Sequence, residues 1–328
     1  MPRRPAAGKR AIANGRLRVG NEWNAISIIA RSQTHPLKAV CELTENALDA
    51  RATVVVIVRH RARGHFFLEV IDDGGGVARG ADGLPDFNRI ATHVCDSMKR
   101  HLDERERQGI HGEFGIGLLS FWSLGEELRM ISAGQDDRLY EMRLARGKRT
   151  YAVEAVRGRL AAGGTRVIVG PLLPATRGVV TGEKLQRYLA EELRNRIRNS
   201  GAKVLIQDRV ARRELTVEPR EYQGERLALP PRLATEMGDL TVELYFRPEG
   251  TVEARQGVAV CKDGTRVLRD LAELDQFAHP PGSTGTSKAC LISRRSTWRR
   301  ERAAALFPTR DSRRSRAPCG LLKPTWCA

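Results

Sequence analysis

The sequence predicts an α/β chain in two parts, each mixing helices with strands, and three observations predict it. Apolar residues recur at helical spacing from Asn21 to Ala50: Ile26, Ile29 and Ala30 form one stripe, and after Pro36 the set Val40, Leu43, Ala47 and Ala50 forms another. The pattern then changes to short runs rich in β-branched and aromatic residues, T-V-V-V-I-V, F-F-L-E-V-I, L-R-M-I-S, R-L-Y-E-M-R-L, Y-A-V-E-A-V and G-G-T-R-V-I-V-G. Beyond Pro171 and Pro174 the alternation starts afresh, with helical spacing at Leu185, Leu189, Leu193 and Ile197 before the strands K-V-L-I-Q, D-L-T-V-E-L-Y-F and G-V-A-V-C.

Each element has a local cause. T-V-V-V-I-V and F-F-L-E-V-I flank a basic turn at Arg61 to Gly64 and pair as a hairpin, which D-D-G-G-G terminates. Residues 77–111 are polar with alternating charge and predict a mobile segment with at most a short helix. Residues 112–125 open with glycines and turn apolar, a loop feeding a helix. Asp263-Gly264 carries a hairpin signal. The borders follow: a flexible basic arm at 1–20, a first domain at 21–175, a smaller α+β domain at 176–282, and a tail at 283–328. That tail is rich in Arg and Ser, holds Cys290, Cys319 and Cys327, and has no period; it predicts disorder, or an aberrant stretch such as a shifted reading frame produces.

Composition narrows the classes. The 328 residues suffice for about two domains of ordinary size, and 41% hydrophobic with 29% charged residues suits a globular chain. No apolar run approaches the roughly 18 residues of a membrane span, and the first twenty residues lack the apolar core of a secretory signal. Cytoplasm is the expected location, with no membrane partner. Cys41, Cys95, Cys261 and the three tail cysteines contain no C-x-x-C pair, so zinc has no support and reduced thiols are expected. The net charge of +17 is unevenly spread: residues 1–20 carry +6 and residues 283–328 carry +9, which leaves +2 for residues 21–282. Basic ends can bind nucleic acid through phosphates without sequence preference, but many flexible ends have the same composition, so nucleic acid is one candidate partner of the tails, while the near-neutral body disfavours a built-in DNA clamp.

Four short elements carry chemistry. In C-E-L-T-E-N-A-L-D-A, Glu42, Asn46 and Asp49 stand at i, i+4 and i+7 and share one helix face, while Leu43, Ala47 and Ala50 use the same spacing on the packed side. Two carboxylates and an amide oxygen on one stripe suit a magnesium–phosphate site, because magnesium takes hard oxygen ligands and keeps waters; a solvated polar face has the same pattern. Ile71-Asp72-Asp73-Gly74-Gly75-Gly76 ends a strand in glycines that let backbone approach a flat ligand, with Asp72 able to accept from an exocyclic amino group, which adenine has. In H-G-E-F-G-I-G-L-L-S, Gly112, Gly115 and Gly117 enter an apolar helix, where backbone N–H groups attract phosphate; the spacing is not that of a Walker loop. Gly163-Gly164-Thr165 leads the last strand of the first part.

In this order the four elements resemble the N box, the two glycine boxes and the late Gly-Thr of the GHKL ATPases (gyrase, heat-shock chaperone, histidine kinase, MutL). E-L-T-E-N-A-L-D-A-R-A-T is similar to the N box of MutL mismatch-repair proteins, and G-E-F-G-I-G-L-L-S is closer to the loop of the ninety-kilodalton heat-shock chaperones. The resemblance spans residues 25–170. It implies a two-layer α/β sandwich with helices on one face of a mixed sheet, and a site for ATP and Mg2+. Glu42 matches the general base that polarises the attacking water, Asn46 the magnesium ligand, and Asp49 the acidic residue supporting the nucleotide site. Asp72 matches the adenine-reading aspartate beside Gly74 and Gly76; Gly112, Gly115 and Gly117 match the phosphate loop; Thr165 matches the threonine that helps hold Asp72 and the base. Residues 77–111 then correspond to the ATP lid, where Ser97 and Lys99 could touch phosphate. Lys262 is the candidate for a second-domain lysine reaching the γ-phosphate, although its hairpin position favours a plain structural role.

The implied function is magnesium-dependent ATP hydrolysis with lid closure as a conformational switch, in a chaperone-like or DNA-transaction-like setting. Closure couples to dimerisation in that family, which implies a homodimer on ATP binding; the protein client is not legible. Two rivals stand beside it. A histidine-kinase-like phosphotransferase is disfavoured by the presence of Glu42 and by the absence of a preceding phospho-acceptor helix with a histidine. A nucleotide-gated interaction module without significant turnover satisfies the same motifs.

Overall fold

The computed structural model describes residues 21–32, 35–92, 117–160, 163–222, 224–230, 233–235, 238–246, 258–262, 264–274 and 287–293. Helices α1 (Glu22–Ser32) and α2 (Pro36–Asp49) precede a hairpin of β1 (Val54–Ala62) and β2 (His65–Asp72). A short α3 (Phe87–Thr92) follows, then a 3-10 helix at Gly117–Ser123 and the strands β3 (Glu127–Ala133), β4 (Leu139–Ala145), β5 (Tyr151–Val156) and β6 (Thr165–Val169). Helices α4 (Gly182–Glu192) and α5 (Arg194–Ser200) lead into β7 (Lys203–Asp208) and β8 (Arg213–Thr216).

These eight strands form one sheet in the order β5-β4-β3-β6-β2-β1-β7-β8. Only β1 and β7 pair in parallel, so the sheet is mixed. Alternation decides which face is covered. Val55 and Ile57, Leu68 and Val70, Leu128 and Met130, Val167 and Val169, and Val204 and Ile206 point to one side, where they share a core with Val40, Leu43 and Ala47 of α2 and Leu185, Leu189, Leu193 and Ile197 of α4 and α5. The other face holds a small apolar cluster of Ile131, Leu139 and Ile168 beside charge ladders. There Glu69 binds His60 at 2.8 Å and Arg166 at 2.7 Å, and Glu141 binds Arg129 at 3.6 Å. One helical layer on one sheet face is the two-layer sandwich that the sequence implies.

Two expected borders need correction. The division at residues 175/176 falls inside this sheet, because β7 adds in register beside β1, from Val54↔Lys203 to Arg59↔Asp208, and α4 and α5 bury their stripes in the same core. The expected tail at 283–328 is also cut short: Ser287–Ser293 forms a strand, β14, in a second sheet. That sheet contains β9 (Glu225–Arg226), β10 (Leu233–Thr235), β11 (Gly238–Phe246), β12 (Val258–Lys262), β13 (Thr265–Leu268) and β14. β14 lies between β11 and β12, antiparallel to one and parallel to the other. Its S-K-A-C-L-I-S is a seven-residue run too short to show a period against Arg-rich surroundings. The rest of that tail, and residues 1–20, lie outside the described residues. The second sheet has its own small core of Val242, Val260, Leu268 and Leu271. Among the described residues, no helix is long and apolar enough to cross a membrane.

Candidate nucleotide-binding site

Helix α2 supplies the first side chains. Pro36 occupies its first turn, where a missing N–H costs nothing, and His35 caps it by accepting the Lys38 N–H on Nδ1 at 3.2 Å. Burial of Ala39, Val40, Leu43 and Ala47 fixes the helix rotation, and so fixes where Glu42, Asn46 and Asp49 point. Glu42 is half-buried, and its Oε2 is sealed from solvent without a hydrogen-bond partner. The carboxylate does meet the side chain of Ser120, in the 3-10 helix that follows Gly117. Burial raises the Glu42 carboxyl above its ordinary range; Lys38 and the Ser120 hydroxyl pull it down and Glu45 pushes it up, and burial wins.

Lys38 sits one turn before Glu42 and 3.8 Å from Glu45 Oε2. Burial opposes its ammonium, but Cys41, Glu45, Glu42 and Glu192 around it outweigh burial and hold it above the ordinary lysine range. Asn46 is exposed one turn beyond Glu42. Asp49, placed on the same stripe, is paired with Arg196 of α5, so the structure gives it a helix-to-helix ion pair.

The turn after β2 supplies the second group. Asp72 is buried, and its Oδ1 accepts the Gly74 N–H at 2.9 Å and the Thr165 N–H at 3.3 Å. Burial raises its carboxyl more than these two amide bonds lower it. Next to it Asp73 ties the turn to β1, accepting the N–H groups of Thr53 at 2.7 Å and Val54 at 2.8 Å. Backbone approach here is too close for side chains: a Cβ on Gly164 would stand 2.0 Å from the Asp72 carbonyl oxygen, and one on Gly76, which has φ +71°, would stand 2.4 Å from that of Gly163. The Gly75 N–H donates to Ala50 at the end of α2, at 2.8 Å. Ser132 of β3 accepts from Val77 at 3.0 Å and donates to Gly164 at 3.4 Å, which stitches the two glycine turns together.

The structure therefore brings Asp72, Gly74, Gly76 and Thr165 together where β2 ends beside the C-terminus of α2, while Glu42, about two turns earlier on α2, meets Ser120 of the 3-10 helix that Gly117 opens. Gly112, Gly115, Ser97 and Lys99 lie outside the described residues, and of Lys262 only the backbone, in β12, is described. Ser120, Lys38, Ser132 and Arg196 are additions that sequence reasoning missed. Lys38 was within reach of it, as an i, i+4 partner of Glu42; the others depend on contacts between distant segments.

Residues 34–156 match the family described as histidine kinase-, DNA gyrase B-, and HSP90-like ATPase. That segment, a little over a third of the chain, is similar to the ATPase domains of the GHKL superfamily. The matched span contains the Glu42, Asp72 and Gly117 elements and stops before Gly163 to Thr165, whose bond to Asp72 joins them to the same site. A comparison with characterised proteins gave no match. ATP binding by this GHKL domain follows from the family.

Donor chemistry agrees with a magnesium nucleotide. Among the described residues no group of His, Cys, Asp and Glu is disposed to hold a metal alone. An exposed amide oxygen at Asn46 suits an ion that keeps several waters and takes its other ligands from phosphate.

Proposed function

We propose that this chain hydrolyses ATP with magnesium, using Glu42 as the base. The observation that carries this reading is the sealed, unpartnered Oε2 of Glu42 on the helix face that also bears Asn46. A buried acceptor without a donor costs about 1–3 kcal/mol, and such a cost is best understood where a substrate water supplies the proton. A carboxyl raised by burial is also a better base near neutral pH, because its proton affinity approaches that of the medium.

In this reading Asp72 accepts the adenine amino group, and its two amide bonds hold it ready to do so. Asn46 holds the magnesium ion, whose charge stabilises the phosphates. Gly112, Gly115 and Gly117 present backbone N–H groups to phosphate, and residues 77–111 close over the nucleotide as a lid, with the homodimer as the closed state. Phosphoryl transfer asks the protein mainly to position the water and to neutralise charge. Whether the output is chaperone-like or a DNA transaction rests on the client.

A malachite-green phosphate assay on the full chain, beside Glu42→Ala, tests the proposal. Loss of about 10²–10⁴-fold in turnover with ATP binding retained is expected. Equal turnover in both proteins removes Glu42 as base; ATP binding without turnover in the wild type favours the nucleotide-gated module instead.

A further inference from the structure

The body of this chain is nearly neutral in sum, but its charge is segregated. β1 and β7 run side by side in parallel, so each delivers its following turn to the same end of the sheet. That end is opposite the nucleotide site: Asp72 faces Val55 at the start of β1, and the turns lie at its finish, roughly 25 Å away at 3.3 Å per residue. One turn is R-A-R-G-H at residues 61–65, and the other is D-R-V-A-R-R at residues 208–213. The last rung between them is Arg59↔Asp208, reinforced by the Arg209 N–H donating to Arg59 O at 2.9 Å. Arg61, Arg63, Arg209, Arg212 and Arg213 are all exposed there.

Of the acids at this end, Asp208 is already neutralised, while Glu214 of β8 stays exposed. Asp208 is buried, binds Arg59 at 3.0 Å and accepts the N–H groups of Gly182, Val210 and Ala211 at 3.0, 3.1 and 3.0 Å. Its carboxylate thus builds the second turn, and the exposed charge around it is five arginines against Glu183 and Glu214. Glu183 pairs with Arg213, whereas Arg61, Arg63, Arg209 and Arg212 have no ion pair among the described residues. Arg63 and Arg212 both have positive φ, 48° and 54°. Turn geometry there favours Gly or Asn, so folding alone does not ask for arginine at either position.

We propose that these two turns form a binding surface for the phosphate backbone of duplex DNA. Four adjacent strands, β2-β1-β7-β8, end here, so the cationic ridge is about 14 Å across at 4.8 Å per strand. That is comparable with the roughly 12 Å major groove of B-form DNA, so guanidinium groups at its two margins reach phosphates on both strands. The deep, narrow major groove of A-form RNA does not admit such a ridge. Single strands are bound on exposed aromatic platforms, and here Phe66 is half-buried with the guanidinium groups of Arg61 and Arg177 at 5.6 and 5.5 Å from its ring. A membrane surface takes inserted apolar side chains, and the exposed large apolar residue in these turns is Val210 alone.

The test uses the full chain, basic ends included, and a short labelled DNA duplex in fluorescence anisotropy across a salt series. One variant combines Arg61→Gln, Arg63→Gln, Arg209→Gln and Arg212→Gln. A second removes the same charge from the β5 side of the sheet, with Lys148→Gln, Arg149→Gln, Arg157→Gln and Arg159→Gln, all exposed positions. Neutralising four phosphate contacts lowers the slope of log K against log salt by about 3–4. That fall is expected in the first variant and not in the second, with ATP binding kept in both as the mark of a folded protein. Asp72→Asn leaves the DNA slope unchanged, which separates this proposal from the nucleotide reading. Equal falls in the two charge variants, no fall in the first, or binding of acidic vesicles or duplex RNA that depends on these arginines while DNA binding does not, overturns it.

Discussion

Replacing Glu42 by Gln separates what this residue does for stability from what it does for chemistry. Gln keeps the size and helix propensity of Glu but stands in for its protonated form. In the folded wild type the carboxylate is half-buried with Oε2 sealed and unpartnered, at a cost on the order of 1–3 kcal/mol. Removing the charge should return much of that, and a domain of this size gains about 2–4 °C in Tm per kcal/mol. Glu42→Gln should therefore melt higher than wild type at neutral pH while losing about 10²–10⁴-fold in turnover.

The pH dependence has a fixed sign. The folded Glu42 carboxyl is raised above its ordinary range, so between the unfolded and folded values the native state holds more protons, and wild-type stability falls as pH rises through that window. Below the window the native glutamate is protonated and resembles glutamine, and the two proteins should melt together. Differential scanning fluorimetry from acid to mildly alkaline pH measures this directly. A Tm difference that is absent, reversed or independent of pH refutes the claim that Glu42 is held charged at a cost.

Three further substitutions test the rest of the site. Asp72→Asn places a donor where adenine offers another donor, and should weaken ATP by about 10- to 150-fold, the equivalent of a charged hydrogen bond worth 1.5–3 kcal/mol, in isothermal titration calorimetry. Gly164→Ala drives a Cβ to 2.0 Å from the Asp72 carbonyl oxygen, and overpacking of this kind costs about 1–3 kcal/mol or more; the Tm should fall and ATP affinity should fall with it. Arg266→Ala leaves Glu192, whose side chain is 6% exposed and bonded to it at 2.5 Å, buried without its partner, a change that typically costs about 3–5 kcal/mol. Cleavage of the second sheet in limited proteolysis should then begin well before wild type.

The first sheet was legible because its strands are half-buried and short. Alternation in F-F-L-E-V-I and L-R-M-I-S names both the strand and its inward face, and the Arg63-Gly64 turn fixes the hairpin register. The positions of Glu42 on a helix and of Asp72 at a strand end were legible from the local pattern alone. Sheet membership was not. Nothing local in K-V-L-I-Q says that β7 pairs with β1 rather than with the strands after it, since parallel pairing is set by where α4 and α5 pack. The partner of Asp49 was hidden for the same reason: Arg196 is 147 residues away, and the ion pair exists only because α5 crosses the end of α2. Segregated charge was missed because a net value of +2 averages a basic pole against acids elsewhere.

Helix α2 serves two neighbours at once. One stripe carries Glu42 and Asn46; beside it Glu45 accepts from Thr265 of the second sheet, and Asp49 is bound by Arg196 of α5. The turn at Gly264 packs on Arg196 so closely that a Cβ there would stand 3.2 Å from its backbone nitrogen. Farther along the same border, Arg194 binds Glu243 at 3.2 Å and Arg266 binds Glu191 and Glu192 at 2.5 Å each. Directional contacts of this kind depend on register, unlike apolar area, which tolerates sliding. A shift of α2 by a fraction of a helical turn would leave the core of the first sheet largely packed yet misalign Glu45 and Asp49 with their partners. The register of the second sheet against α2 is therefore set by the Thr265–Glu45 bond and, through Arg196 and the Gly264 turn packed on it, by Asp49.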